Sequence, residues 1–343
     1  MGKIKLAFAI TIFSVFIAVI GTVFYVGKTI YSPYQGEKIN FTIKPGEGFS
    51  SVNYRLSKDN IISSARVFHY YSKFYNKMGS LKAGTYEIPA DISMKGVLEI
   101  LTEGTPILTR ITIPEGKNMF QIAKIFEEAK ITTYDKFVEL CRDPEMIKLT
   151  GTDAPSLEGY LFPETYLFAP STPAKEIIIA MLREFRKQTQ GIDLAASFLT
   201  PHEVIILASI VEKETGAKWE RPTIAGVYIN RLKKKMRLQA DPTTIYGIWE
   251  SYDGNLQRKH LLQKTKYNTY KMSGLPLGPI ASPSLAAIKA VLKPKEHNYL
   301  YFVSKNDGTH VFTPTYKKHQ EAVDYWQKNR HNRKGKSWRD LKQ

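Results

Sequence analysis

Ala208-Ser209-Ile210-Val211-Glu212-Lys213-Glu214-Thr215, followed by Asn230-Arg231-Leu232 and Arg237-Leu238-Gln239-Ala240-Asp241-Pro242-Thr243, puts carboxylates where a core helix is expected. Thr200-Pro201-His202-Glu203, just upstream, has capping-box spacing with proline at the first helical position, and predicts a helix from there to about residue 216. Val204, Ile205, Ile206, Leu207, Ala208, Ile210 and Val211 leave that helix no clean polar face, which predicts burial on most sides. At about 100° per residue, Glu212 and Glu214 lie roughly 200° apart and cannot work as an adjacent carboxylate pair. Glu214 follows Ile210 and Val211 by one turn and Leu207 by two, the more apolar surroundings of the pair. Such a site disfavours the carboxylate and raises the pKa, as a general acid working near neutral pH requires. The competing reading is a solvated helix end around Lys213.

The same string, together with residues 237–243, Tyr246-Gly247, Tyr267-Asn268-Thr269-Tyr270 and Gly274-Leu275-Pro276, resembles the YceG-like family of endolytic murein transglycosylases. The likeness continues upstream through Leu157-Glu158-Gly159-Tyr160-Leu161-Phe162-Pro163-Glu164-Thr165-Tyr166 and Lys82-Ala83-Gly84-Thr85-Tyr86, and so covers nearly everything after an N-terminal apolar segment. The resemblance implies that the second glutamate of Glu-Lys-Glu-Thr, Glu214, is catalytic, which agrees with its apolar neighbours. It also implies a lyase acting on peptidoglycan glycan strands, with proteins of cell-wall synthesis as possible partners.

The chain has 343 residues, 43% of them hydrophobic, enough for two or three small domains with their own cores. A formal net charge of +17 suggests a polyanionic neighbour: nucleic acid, an acidic membrane surface or an anionic wall polymer. Residues 6–26 carry no charge, about 21 positions and enough to span a bilayer core of about 30 Å at 1.5 Å per residue. Lys3 and Lys5 before this run predict a cytoplasmic N-terminus and an extracytoplasmic body in the inner (plasma) membrane, although Lys28 and Lys38 weaken the asymmetry. Tyr25, Tyr31 and Tyr34 suit an interfacial belt. A cleaved signal peptide is the rival, but no small-residue cleavage site follows the run. With the body outside the cytoplasm, nucleic acid is not an expected partner. Cys141 is the only cysteine, so no disulfide within the chain and no thiolate metal cluster can form.

An offset of 70 residues aligns segments 41–61 and 111–131: Ile43 meets Ile113, Gly46 meets Gly116, Val52 meets Ile122, Leu56 meets Phe126 and Ile61 meets Ile131. Each reads as a short strand, a turn and an amphipathic helix, and so as a repeated unit or as two unrelated ones. The expected fold class is α+β: a transmembrane helix within residues 1–30, a linker at 31–38, a small α+β module at 39–104 and a larger α+β catalytic region at 105–327. Within that region a second strand-helix unit (105–155) precedes the active-site part (156–327), and a basic tail occupies 328–343. The resemblance makes the module at 39–104 LysM-like, a glycan-aligning element or a spacer. The segment 155–170 is rich in aromatic residues: Tyr160, Phe162, Tyr166 and Phe168, with Glu158 and Glu164, form either a sugar-stacking wall or a packed loop core. Lys233-Lys234-Lys235 ends a helix beginning near Ile224, and residues 299–303 and 310–312 read as two strands joined by Asn306-Asp307-Gly308-Thr309.

No P-loop, dinucleotide fingerprint, HExxH or cysteine-ligand spacing occurs, so no cofactor and no metal are expected. Glycan hydrolases use two carboxyl groups. Lytic transglycosylases, which the resemblance implies, can use one: the acid protonates the glycosidic oxygen between N-acetylmuramic acid and N-acetylglucosamine. As carboxylate it then takes the proton of the muramoyl 6-hydroxyl, which closes a 1,6-anhydro ring. An internal nucleophile has a high effective molarity, so no second strong base is obligatory. Glu214 is the expected acid/base. Gln239, Asn268 and Tyr270 are candidate substrate-positioning groups, Asp241 either stabilises positive charge or caps a turn, and Glu164 is a candidate without a stated role. Arg237 would pair with carboxylates of murein or with Glu212. The alternatives are a muramidase using Glu214 and Asp241 with water, and a non-catalytic murein-binding scaffold.

Overall fold

The computed structural model describes residues 2–44, 46–170, 172–214 and 216–329; Thr215 and nearly all of the predicted basic tail lie outside the described residues. Helices and short strands mix along the chain, which divides into two compact units, Met1–Thr109 with Leu167–Pro170, and Arg110–Tyr166 with Ser171–Gln343.

In the first unit α1 (Gly2–Tyr31) precedes β1 (Ile39–Ile43), α2 (Phe49–Lys58), α3 (Ala65–Phe74), β2 (Gly84–Ile88) and α4 (Met94–Glu103). β1 and β2 pair antiparallel, with Phe41 opposite Tyr86, and their inner faces meet Val52, Leu56, Phe68, Val97 and Leu101 in one core. Residues 8–31 are long and apolar enough to cross a membrane, and their most apolar 18-residue window is unburied. The last turn of α1 behaves differently. Ile30 enters the core, and Tyr34 exchanges backbone bonds with Ile92 and Asp91 (2.7 and 3.0 Å), so the segment expected as a linker is tied to this unit.

From Arg110 onward come most of β3 (Thr109–Thr112), α5 (Met119–Glu128), α6 (Tyr134–Cys141), α7 (Pro144–Ile147), the first half of β4 (Thr165–Phe168), α8 (Ala174–Thr189), α9 (Pro201–Glu214), α10 (Arg221–Lys233), α11 (Asp241–Gly247), α12 (Arg258–Leu262), α13 (Leu285–Leu292), β5 (Tyr301–Ser304), β6 (His310–Thr313) and α14 (Tyr316–Val323), all in the second unit. The α9 start follows its capping box: Thr200 N donates to Glu203 Oε2 (2.8 Å) and Glu203 N to Thr200 Oγ1 (3.3 Å). Val204 to Val211 are all buried, because α9 packs against α10, α11 and α13. Gly159 belongs to that packing. It holds φ +85°, and a Cβ there would lie 2.5 Å from Pro279 Cβ, so only glycine lets this loop lie against α9.

The 70-residue periodicity is structural. α2 and α5 run over equivalent positions, and the paired residues Ile43 and Ile113, Val52 and Ile122, Leu56 and Phe126, and Ile61 and Ile131 are all buried. Backbone signs repeat too: Gly46 and Gly116 have φ +77° and +74°, and Asn60 and Lys130 have φ +55° and +56°. Each helix thus has a left-handed residue in the turn before it and another just after it.

Candidate active site

α9 delivers Glu214 from the core into a cleft. Two cavities, of about 780 and 290 Å³, meet at Glu214 and Asp241, which line both. Glu214 Oε1 accepts a 2.6 Å hydrogen bond from Tyr228 Oη of α10, and its other oxygen has no protein partner among the described residues. Burial pushes the Glu214 carboxyl up to about 7; the Tyr228 bond and Arg231 pull it down, and the charge of Asp241 pushes it further up. Glu214 is only half-buried, its open side being the cleft. A carboxyl partly protonated at neutral pH, held on one oxygen and free on the other, can give and retake a proton.

Asp241 opens α11 and accepts from Tyr270 Oη at 2.6 Å. Asp241 sits in the first turn of α11, and its charge acts on Glu214. Gln239, exposed and in the left-handed region (φ +50°), lines the smaller cavity with Tyr228, Arg231 and Tyr270. The structure thus brings Glu214, Asp241, Gln239 and Tyr270 together. Asn268 it does not bring: this side chain is fully buried, donates to the carbonyls of His260, Leu261 and Gln263, and accepts from Thr244 Oγ1 and Tyr270 N. Its amide has no capacity left for a ligand, and it serves as the brace that holds Tyr270 over Asp241. Glu164 lies elsewhere, exposed beside Glu115 and Phe162 in a separate pocket, with Oε1 accepting from Thr165 N.

Several neighbours differ from expectation. Glu212 pairs with Arg221 (2.5 Å), not Arg237, and also accepts from Ser284 N (3.0 Å); Arg237 instead donates to the Tyr270 carbonyl (3.1 Å). Tyr160, Phe162, Tyr166 and Phe168 are at most 9% exposed, so the aromatic segment is packed core and no sugar wall. Glu158 is sealed with them, accepting from Met119 N (2.9 Å) and Gly159 N, and burial raises its carboxyl to about 7. The aromatic lining of the cleft comes from Tyr246 and Trp249, the latter stacked on Phe120 at 6.1 Å. Asn230 and Arg231 hold the chain entering β5 through the carbonyls of His297, Tyr299 and Leu300. One pair escaped the sequence reading altogether: Glu220 and His310, 90 residues apart, join at 2.7 Å, with His310 on the wall of the larger cavity.

A carboxyl of raised pKa thus stands in a cleft with aromatic and amide-bearing walls. The chain belongs to the YceG-like family, whose pattern matches residues 41–325. It is similar to the endolytic murein transglycosylase of Bacillus subtilis strain 168, at 34% identity over 328 residues covering 89% of this chain and 90% of that one. It is also similar to the endolytic murein transglycosylase of Streptococcus pneumoniae (30% identity, 76% of this chain), where it spans 53% of the longer relative. Among solved structures, a yceG-like protein from Listeria monocytogenes aligns with a TM-score of 0.58 and 31% identity, over 83% of this chain and 99% of that one.

Proposed function

We propose that this chain is a membrane-anchored, endolytic lytic transglycosylase of peptidoglycan, with Glu214 as its one acid/base. The observation that carries this reading is a carboxyl of pKa about 7 at the junction of two cavities, where a glycan strand can run past it in both directions. Glu214 first protonates the glycosidic oxygen, and the N-acetylglucosamine portion leaves with that proton. The cation developing on the muramoyl ring is stabilised by the Asp241 carboxylate. Glu214, now a carboxylate held by Tyr228, takes the proton of the 6-hydroxyl as that oxygen bonds to the anomeric carbon. The acid is restored and no water is consumed. Gln239 and Tyr270 line the smaller cavity where the ring must be held. Residues 39–104, read as LysM-like, would keep the strand engaged, and the apolar α1 would hold the body at the outer face of the plasma membrane.

The proximity of Asp241 favours one second reading, hydrolysis with Asp241 activating water. Mass analysis of murein digested by the purified protein separates them. 1,6-Anhydro ends are expected; reducing ends would replace this proposal by the muramidase. Protease added to spheroplasts should digest the body, and protection would remove the anchor as drawn.

The pH dependence has a defined sign. The reaction begins with Glu214 protonated, so kcat/KM should fall as pH rises through about 7. The Tyr228 hydrogen bond stabilises the carboxylate and lowers this pKa. Tyr228→Phe should therefore move the alkaline limb to higher pH, and a shift to lower pH in the rate profile would refute this coupling.

A further inference from the structure

We propose that His310 is a glycan-binding group of the larger cavity, hydrogen-bonding a sugar hydroxyl through Nε2 and held in place by Glu220. The inference deepens the peptidoglycan reading and rests on it for the identity of the ligand.

β5 and β6 form a hairpin in which Ser304 stands opposite His310. Asn306 and Gly308, at φ +64° and +85°, turn the chain so that Ser304, Gly308 and His310 all reach the cavity that Glu214 and Asp241 line. Glu220, buried just before α10, grips this histidine twice: Oε1 accepts from the His310 backbone N (3.0 Å) and Oε2 from ring Nδ1 (2.7 Å). A carboxylate only accepts, so Nδ1 carries the proton and the tautomer is set. Phe302 meets the ring edge-on at 5.4 Å, and Phe312 lies against it at 6.3 Å. The side chain is 10% exposed. Nε2 is the one ring atom with hydrogen-bonding capacity left; it has no protein partner among the described residues and is not among the sealed polar atoms.

His297 shows what a purely structural histidine looks like in this protein. Its Nδ1 accepts from Tyr299 N and its Nε2 meets the Thr223 carbonyl, so both nitrogens are used. His310 is fixed as firmly on one side and left open on the other, in a cavity whose walls also carry Tyr246, Trp249, Ile245 and Ile280, the amide-bearing Asn118 and Gln121, and the cation of Lys213. Apolar walls with a few fixed polar groups suit a sugar ring, which presents apolar faces and a hydroxyl edge. With the proton on Nδ1, Nε2 offers a lone pair to a hydroxyl donor. If the ring takes a second proton, the same hydroxyl oxygen accepts from Nε2. Glu220 is not on the cavity wall; it holds the imidazole in place and is a positioning residue.

Two isosteric replacements separate this role from that of a hairpin clamp. The amide nitrogen of asparagine falls near Nδ1 of histidine, and that of glutamine near Nε2. His310→Asn therefore keeps the Glu220 bond and loses the contact in the cavity, whereas His310→Gln does the reverse. In the full-length wild-type background, His310→Asn should raise KM about tenfold, the upper range for one neutral hydrogen bond, with kcat and Tm little changed, and His310→Gln should stay closer to wild type in KM. In the Glu214→Gln background, affinity for peptide-free glycan strands, measured by calorimetry, should fall by the same factor for His310→Asn. The reverse ranking of the two variants would make His310 a structural clamp, and a defect that vanishes on peptide-free strands would assign it to a stem-peptide carboxylate; either overturns the proposal. So would glycan strands bound equally well by both variants, or by neither form of the protein. Absence of anhydro ends from the wild-type digest would instead remove the transglycosylase reading alone, because the binding measurement does not depend on turnover.

Discussion

Replacing Glu214 by glutamine should lower turnover of intact murein by at least about 10²-fold, the lower end of what general acid/base catalysis contributes. Glutamine keeps the shape and can still accept from Tyr228 Oη, so the cleft should stay formed. What disappears is the exchangeable proton, needed both to expel the leaving sugar and to receive the proton of the 6-hydroxyl. Because the contact is made in the transition state, the loss should appear equally in kcat and kcat/KM, with strand binding retained. Glu212→Gln is the control. Glu212 faces away from the cavities into its pair with Arg221 and Ser284, and its loss should affect stability while activity per folded molecule stays within about tenfold. Near wild-type activity in Glu214→Gln, with activity lost in Glu212→Gln, would reverse the assignment of the two carboxylates.

The apolar run before Glu214 was enough to expect a raised pKa, because helix geometry places residues 207, 210 and 211 beside it whatever the rest of the chain does. The 70-residue repeat was legible for the same reason: glycines at equivalent turn positions and apolar spacing are local signals. Partners that come from far along the chain were not. Tyr228, which grips Glu214, lies on the next helix, and His310 meets Glu220 only because a hairpin returns over the start of α10. Composition also misled. The aromatic segment 155–170 carries residues that suit either a sugar wall or a core, and the deciding fact is its burial beneath α8 and α9, as in the Tyr160 contacts with Phe185 and His202. Asn268 failed similarly, since an asparagine in a motif can bind a ligand or close a loop, and here three backbone carbonyls take its amide.

Arg221→Met should destabilise the second unit by about 3–5 kcal/mol, the range for breaking a buried ion pair by removing one partner. Both side chains of the Arg221–Glu212 pair are 5% exposed. The methionine would leave the Glu212 carboxylate sealed with only the Ser284 backbone and hydroxyl as donors. The arginine itself is incompletely satisfied: Nη2 makes the contacts to Glu212 and, at 3.4 Å, to Glu115, while Nε and Nη1 are sealed without a hydrogen-bond partner among the described residues. A guanidinium held in this way returns little of its desolvation cost, so the pair as a whole need not be stabilising even though each half depends on the other. The double variant Glu212→Gln/Arg221→Met tests this. Glutamine can still accept from Ser284 N, and no buried charge remains, so the double variant should recover more than half of the stability lost in Arg221→Met. Urea denaturation followed at the tryptophans supplies the three free energies. Strict additivity of the two single losses would show that Arg221 and Glu212 do not depend on each other, and that α9 is held beneath the cleft by apolar packing alone.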